Sequence, residues 1–203
     1  MIKTLIFDFG DVFINLDKQG ALDNALNLFN LKTFTPDLNA TNIAYETGQI
    51  STQEFVSFYA DKFKNLNEDE IINAWNYILK DFPEHRLEFL KSLKENGKYQ
   101  LILLSNTNEL HIDWIKEHIS FYDEFKACFD IFYLSHEIEL RKPNTDIFQF
   151  VLTENNLKAQ ECLFIDDLPE NTETAQIMGF NIWNIKPESE DVTTLFKTNN
   201  HLF

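Results

Sequence analysis

Ile2-Lys3-Thr4-Leu5-Ile6-Phe7 runs straight into Asp8-Phe9-Gly10-Asp11. A short β-favouring run that stops abruptly in polar residues and glycine reads as a strand leaving its sheet. Similar runs recur at 99–104, 131–134, 161–165 and 181–185. Several are almost continuously apolar, the pattern of strands covered on both faces. Helical spacing lies between them. Leu87, Leu90 and Leu93 precede Gly97; Ile147, Phe148, Val151 and Leu152 follow Pro143; and Pro169 to Met178 ends at Gly179. Strands alternating with helices predict an α/β protein with a Rossmann-like parallel sheet.

Residues 16–82 break the alternation, with helix signals and no convincing strand. Leu22, Ala25, Leu26 and Phe29 mark one amphipathic face. Ser51-Thr52-Gln53-Glu54 reads as a capping box, and Asn67 with Glu70 as another. The expected division is therefore a core of 1–15 and 83–203 interrupted by a helical unit at 16–82.

The chain has 203 residues, 44% of them hydrophobic and 20 of them Phe, enough to bury a sizeable core. Its net charge of −16 lacks the basic footprint that nucleic acid needs and repels anionic lipid. No apolar run approaches the ~20 residues of a membrane helix. Cys128 and Cys162 are too few and too far apart for a disulfide framework or a zinc site, which fits a reducing, cytoplasmic setting. Met1 reads as the start of the folded protein, without a signal peptide. Neither nucleic acid nor membrane is expected as a partner, and the chain is expected as a monomer or weak homodimer.

Four polar clusters follow four of the expected strands: Asp8 to Asp11, Ser105-Asn106, Arg141-Lys142-Pro143 and Asp166-Asp167. Ligands of an open parallel sheet bind outside the carboxyl ends of its strands, so these clusters should converge on one crevice. Carboxylates crowded there repel one another and call for a counter-charge. An all-oxygen site of this kind suits a hard cation such as Mg2+.

In Phe7-Asp8-Phe9-Gly10, Leu104-Ser105-Asn106-Thr107-Asn108, Arg141-Lys142-Pro143 and Phe164-Ile165-Asp166-Asp167 the sequence resembles the haloacid dehalogenase-like (HAD) hydrolase superfamily. All four motifs occur in order, and the family's helical C1 cap would occupy the inserted segment. Within the superfamily the segments are similar to the branch of the bacterial α-D-glucose-1-phosphate phosphatase. The resemblance implies an Mg2+-dependent phosphomonoesterase acting on a small phosphate ester, a sugar phosphate in that branch. It implies Asp8 as nucleophile, Lys142 as its counter-charge, and Ser105 with the Asn106 N–H as phosphate holders. Mg2+ would be bound by Asp8, the Gly10 carbonyl and the Asp166-Asp167 pair, with Asp167 favoured for the direct bond and Asp166 for a supporting one.

One position departs from the family pattern. The residue two after the nucleophile, usually an acid/base Asp, is Gly10. Asp11 is the nearest substitute, although a shift of one residue at a strand exit points a side chain elsewhere and a capping role is the simpler reading. A missing acid matters least for an acidic leaving group such as an anomeric hydroxyl. His111 and Trp75 read as helix-packing residues, whereas Tyr45-Glu46-Thr47-Gly48 reads as a loop of the cap able to meet the leaving group. Two other functions compete: a metal-independent 2-haloacid dehalogenase, and an inactive binding or regulatory relative, which Gly10 keeps open.

Overall fold

Successive residues of a strand point to opposite faces, and in the computed structural model, which describes residues 1–203, both faces are covered. The strands are β1 (Thr4–Phe7), β2 (Gln100–Ser105), β3 (Ile131–Leu134), β4 (Cys162–Asp166) and β5 (Asn181–Asn184). They form one sheet in the order β3-β2-β1-β4-β5. Every pairing is parallel, with Phe7 level with Leu103 on one side and Ile165 on the other.

Eleven helices fill the intervals. Those at 18–76 are α1 (Lys18–Leu28), α2 (Pro36–Glu46), α3 (Thr52–Lys62) and α4 (Glu68–Asn76). Then come α5 (Glu84–Asn96), α6 (Glu109–His118), α7 (Tyr122–Ala127), α8 (Ser135–Ile138), α9 (Thr145–Glu154), α10 (Pro169–Ile177) and α11 (Leu195–Thr198). Leu5, Phe7 and Leu103 pack with Leu90 of α5, Ile112 of α6 and Phe125 of α7. Ile6, Ile102 and Phe164 turn the other way, onto Phe148 of α9 and Ala175 of α10. The protein is thus an α/β fold with a parallel core sheet and a helical insertion.

Both expected capping boxes, at Ser51 with Glu54 and at Asn67 with Glu70, are formed. Gly97 takes the left-handed conformation that ends α5. Helices α1 to α4 build a separate apolar cluster around Phe29, Leu38, Phe55, Tyr59 and Ile71. The chain enters and leaves this cluster side by side. Asn15 N–H donates to the Asp81 carbonyl at 2.9 Å, Lys80 N–H to Asn15 at 3.0 Å, and Leu16 bridges Leu79, so the segment expected to lack strands begins and ends in a short antiparallel pairing.

Two contacts set the attitude of this cluster over the sheet. Ser135 accepts from the Thr107 N–H at 2.9 Å and donates to the Glu46 carbonyl at 2.6 Å. Next to it, Gly48 has a φ of +67°, and a Cβ there would lie 2.1 Å from the His136 carbonyl oxygen. Both the conformation and the clash act against a side chain. Gly48→Ala is expected to lower stability by about 2–3 kcal/mol, read from urea unfolding.

Candidate active site

Asp8 stands one residue beyond the central strand β1, where the backbone must leave the sheet. The loop that follows is pinned by its phenylalanines. Phe9 stacks on Phe125 at 4.8 Å between ring centroids, and Phe13 meets Phe125 at 5.1 Å. The buried Arg86 donates to the Phe13 carbonyl at 3.0 Å and pairs with Asp191 at 2.9 Å. With its loop held on both sides, the Asp8 carboxyl has a fixed position at the carboxyl edge of the sheet.

Lys142 reaches the same point from beyond β3. Its ammonium lies 2.8 Å from Asp8 Oδ1 and 2.6 Å from Asp166 Oδ2, and the side chain is only 1% exposed. Asn106 fixes its backbone by accepting from the Lys142 N–H at 2.9 Å and donating to the Lys142 carbonyl at 2.8 Å. Ser105 ends β2 beside Asp8, buried and with no side-chain hydrogen bond to protein. The N–H groups of Phe9, Gly10 and Asn106 likewise have no backbone acceptor.

Asp166 ends β4 and Asp167 follows it, on the other side of β1, so the site straddles the position where the strand order reverses. Asp166 is fully enclosed: it accepts from Lys142, from the Leu168 N–H at 2.9 Å, and from Asn171 Nδ2 at 3.0 Å to each oxygen. Asp167 makes its side-chain pair with Lys18, the first residue of α1, and Lys18 also contacts Asp11 Oδ2 at 2.8 Å. The other Asp11 oxygen accepts from the Leu16 N–H at 2.9 Å. Asp11 therefore has both oxygens engaged by the entry to the helical insertion, which is the capping arrangement.

Burial raises the Asp8 carboxyl to about 7 against the pull of Lys142, with Asp166 and Asp167 adding to the rise. Burial also raises Asp167, opposed by Lys18. For Lys142 burial works downward, but Asp166 and Asp8 outweigh it and hold the ammonium above its ordinary value. Asp8, Asp166 and Asp167 each bring a carboxylate oxygen to within 4.8 Å of the others. When all are ionised, four carboxylates, counting Asp11, face two ammoniums and two negative charges are left uncompensated, which adds to the burial that raises Asp8 and Asp167. An all-oxygen donor set with that deficit fits a divalent magnesium ion. Asp167, lightly bonded, is the side chain of the pair with acceptor capacity to spare.

A cleft of about 650 Å3 opens from Gly10, Ser105 and Asn106 into the helical insertion. Glu46 closes one side by pairing with Arg141, Oε2 lying 3.0 Å from Nε and 2.9 Å from Nη2. Tyr45 and Glu46 end helix α2 instead of standing in a loop, and the Tyr45 hydroxyl accepts from the Leu110 N–H at 3.1 Å. His111 lines the cleft in one tautomer, because the Trp75 carbonyl 3.1 Å from Nε2 can only accept; Nδ1 then accepts from Asn108 Nδ2 at 3.2 Å. Lys18 and Asn171, which the sequence does not single out, are thus central to the charge arrangement. Neither carries a motif, and only the placement of α1 and α10 against the strand ends brings them in.

Burial lowers the His111 imidazole to about 4, so the folded protein favours its neutral form. The unfolded chain binds the proton from about pH 6.5 downward. The contribution to stability is therefore complete above pH 6.5 and is lost as pH falls toward 4, by on the order of 1–3 kcal/mol. Urea titrations at pH 7 and pH 4.5 should show a steeper loss for wild type than for His111→Gln. Equal losses would remove His111 as the source.

Residues 2–179 match the model of the haloacid dehalogenase-like hydrolases. The chain belongs to this family. Among HAD relatives, D-ribitol-5-phosphate phosphatase of Bacteroides thetaiotaomicron is 29% identical over 196 residues, spanning 93% of each chain. A crystal structure of a HAD family enzyme from the same organism, in complex with magnesium and inorganic phosphate, is 32% identical with a TM-score of 0.81. It covers 97% of this chain and 100% of that one. A HAD-like hydrolase from Porphyromonas gingivalis is 26% identical, with a TM-score of 0.81 and 98% of each chain covered. Relatedness to bacterial sugar-phosphate phosphatases follows at this level, without singling out the glucose-1-phosphate enzymes.

Proposed function

We propose that the protein is an Mg2+-dependent phosphomonoesterase that works through an aspartyl-phosphate on Asp8. The observation that carries this reading is the buried Asp8–Lys142–Asp166 chain beside Asp167, at the carboxyl edge of a HAD sheet. An Asp8 oxygen attacks phosphorus, the P–O bond to the alcohol breaks with the leaving oxygen taking its proton from water, and a second water later cleaves the acyl phosphate to return Asp8 and release inorganic phosphate. Lys142 lowers the cost of ionising the buried Asp8 and faces the negative phosphoryl group. Ser105 Oγ and the free N–H groups of Phe9, Gly10 and Asn106 are the donors for the phosphoryl oxygens. Asp8, the Gly10 carbonyl and Asp167 hold the metal, with Asp166 orienting Lys142 from behind. Magnesium, when bound, offsets the carboxylates and polarises the phosphoryl oxygens.

Gly10 supplies no proton to the leaving oxygen, and Asp11, the nearest acid, is bound to Leu16 and Lys18. This supports the finer expectation of a sugar 1-phosphate, whose anomeric oxygen leaves without much help. Similarity to D-ribitol-5-phosphate phosphatase supports a polyol ester instead. The enclosed site lies within one chain, in keeping with a monomer or weak homodimer. Cys128 and Cys162 are free and buried, in keeping with a cytoplasmic setting, and no helix is long and apolar enough to cross a membrane.

The test is phosphate release from a panel of sugar and alkyl phosphates with Mg2+ or EDTA. Turnover is expected with Mg2+ and a fall of at least about 100-fold in EDTA. Turnover unchanged by EDTA would defeat the metal assignment, and halide release from 2-haloacids in EDTA would favour the dehalogenase alternative. Silence across the panel would favour an inactive binding protein.

A further inference from the structure

Beyond its phosphate end, the cleft is walled mainly by hydrocarbon. Helix α1 shows why. It has no buried residue, although it lies against α4, because its inward face, with Leu22 and Ala25, borders open space. Across that space stands Trp75, backed by the buried Phe55 and Ile71, and the rim carries Leu22 and Ile43, both more than 40% exposed.

Several polar side chains of the wall are committed to one another. Of the lining, Asn39, Ser105 and the enclosed Trp75 indole N–H lack any side-chain hydrogen bond, while Lys18 is held by Asp11 and Asp167. Asn42 Oδ1 accepts from the Tyr59 hydroxyl at 2.6 Å. Glu46 and Arg141 satisfy each other, and His111 uses both ring nitrogens on Asn108 and the Trp75 carbonyl. A polyol entering this space would give up water at several hydroxyls and find few partners in exchange. An apolar group would lose nothing polar and would cover Leu22 and Ile43.

We propose that the preferred substrate is a phosphate monoester with an apolar organic part, an alkyl or aryl-alkyl group seated between α1 and α4. This rests on the phosphomonoesterase reading and replaces the sugar or polyol with a hydrocarbon body. With Gly10 supplying no acid and Asp11 engaged, the alkoxide oxygen takes its proton from water, so the preference is expressed in binding and not in leaving-group help. A small polyol phosphate would leave most of the 650 Å3 to water.

The comparison needs esters of equal intrinsic reactivity. Hexyl, 2-phenylethyl and citronellyl phosphates are primary alkyl esters, as D-ribitol 5-phosphate is, so differences between them report the organic part. With Mg2+ the apolar esters are expected to show kcat/KM about tenfold or more above ribitol 5-phosphate, the gain lying in KM. Ala25→Asp, which places a carboxylate on the wall, should reduce that ratio, with circular dichroism confirming its fold. Calorimetry on Asp8→Asn gives a second readout that needs no turnover: hexyl phosphate should bind more tightly than ribitol 5-phosphate. Ribitol or glucose phosphate turned over as well as the apolar esters would overturn the substrate class and leave the phosphatase reading intact. Tight binding of hexyl phosphate without turnover of any ester would do the reverse.

Discussion

Asp8→Asn is expected to abolish phosphate release, by about 10^4-fold or more, while leaving a folded protein. The amide has nearly the size of the carboxyl and still accepts from Lys142, but it has no charge and cannot form the acyl phosphate. Burial already makes the ionised Asp8 costly, raising it to about 7, and Asp166 and Asp167 add to that cost. Removing the charge relieves this repulsion, so unfolding in urea at pH 7 should show stability equal to wild type or higher. Single-turnover phosphate release measures the catalytic arm. Residual turnover within tenfold of wild type would mean that another group attacks phosphorus, and a marked loss of stability would mean that the Asp8 charge holds the strand end in place.

Lys142→Met should lose both properties together. Methionine fills much the same space, so the change isolates the ammonium from the packing. Without it, Asp8 and the fully enclosed Asp166 face each other with no cation between them. Breaking a buried pair by removing one partner costs about 3–5 kcal/mol, far more than loss of an exposed one. Turnover should fall by at least about 10^3-fold, because the same ammonium faces the transferring group. Urea unfolding and phosphate release measured on one preparation check both. A Lys142→Met protein as stable as wild type would show that Asn171 and the Leu168 N–H suffice to hold Asp166.

Much of the core is legible in the sequence, because the signals involved are local. The alternation of apolar runs with helical spacing locates all five strands, and β2 and β4 each run one residue further toward the site than the expected runs. The capping boxes at Ser51 and Asn67 are self-contained in four residues, so their sequence is nearly their structure. Helix α2 is the contrast. Its residues carry little periodicity, its hold on the fold comes from Leu38 and Tyr45 in a cluster shared with α3 and α4, and Glu46 therefore looks like loop until those helices are assembled.

The same division applies to the site. Asp8, Ser105, Asn106, Asp166 and Asp167 can be proposed from sequence because each sits at or one residue beyond a strand end, and strand ends of a parallel sheet converge whatever the intervening helices do. Lys142, by contrast, lies eight residues past β3, beyond α8, and is marked by its Arg-Lys-Pro segment. Lys18 is a lysine among many acids, and nothing near it in the chain marks it. Its charge matters only because the Leu16–Leu79 pairing sets the first turn of α1 over Asp11 and Asp167. The sequence offers Asn106 as a candidate phosphate residue and gives no sign of its side-chain clamp on the Lys142 backbone, 36 residues away. The character of the cleft was hidden for the same reason. Leu22, Ala25 and Trp75 have the spacing of ordinary packing residues, and whether such a face meets another helix or open space depends on how closely α1 and α4 approach. Sequence alone determined the fold class and the chemistry gathered at the strand ends, since both rest on short-range pattern. Only the tertiary structure decided which charges offset one another and what the cleft receives, since those depend on contacts between residues far apart in the chain.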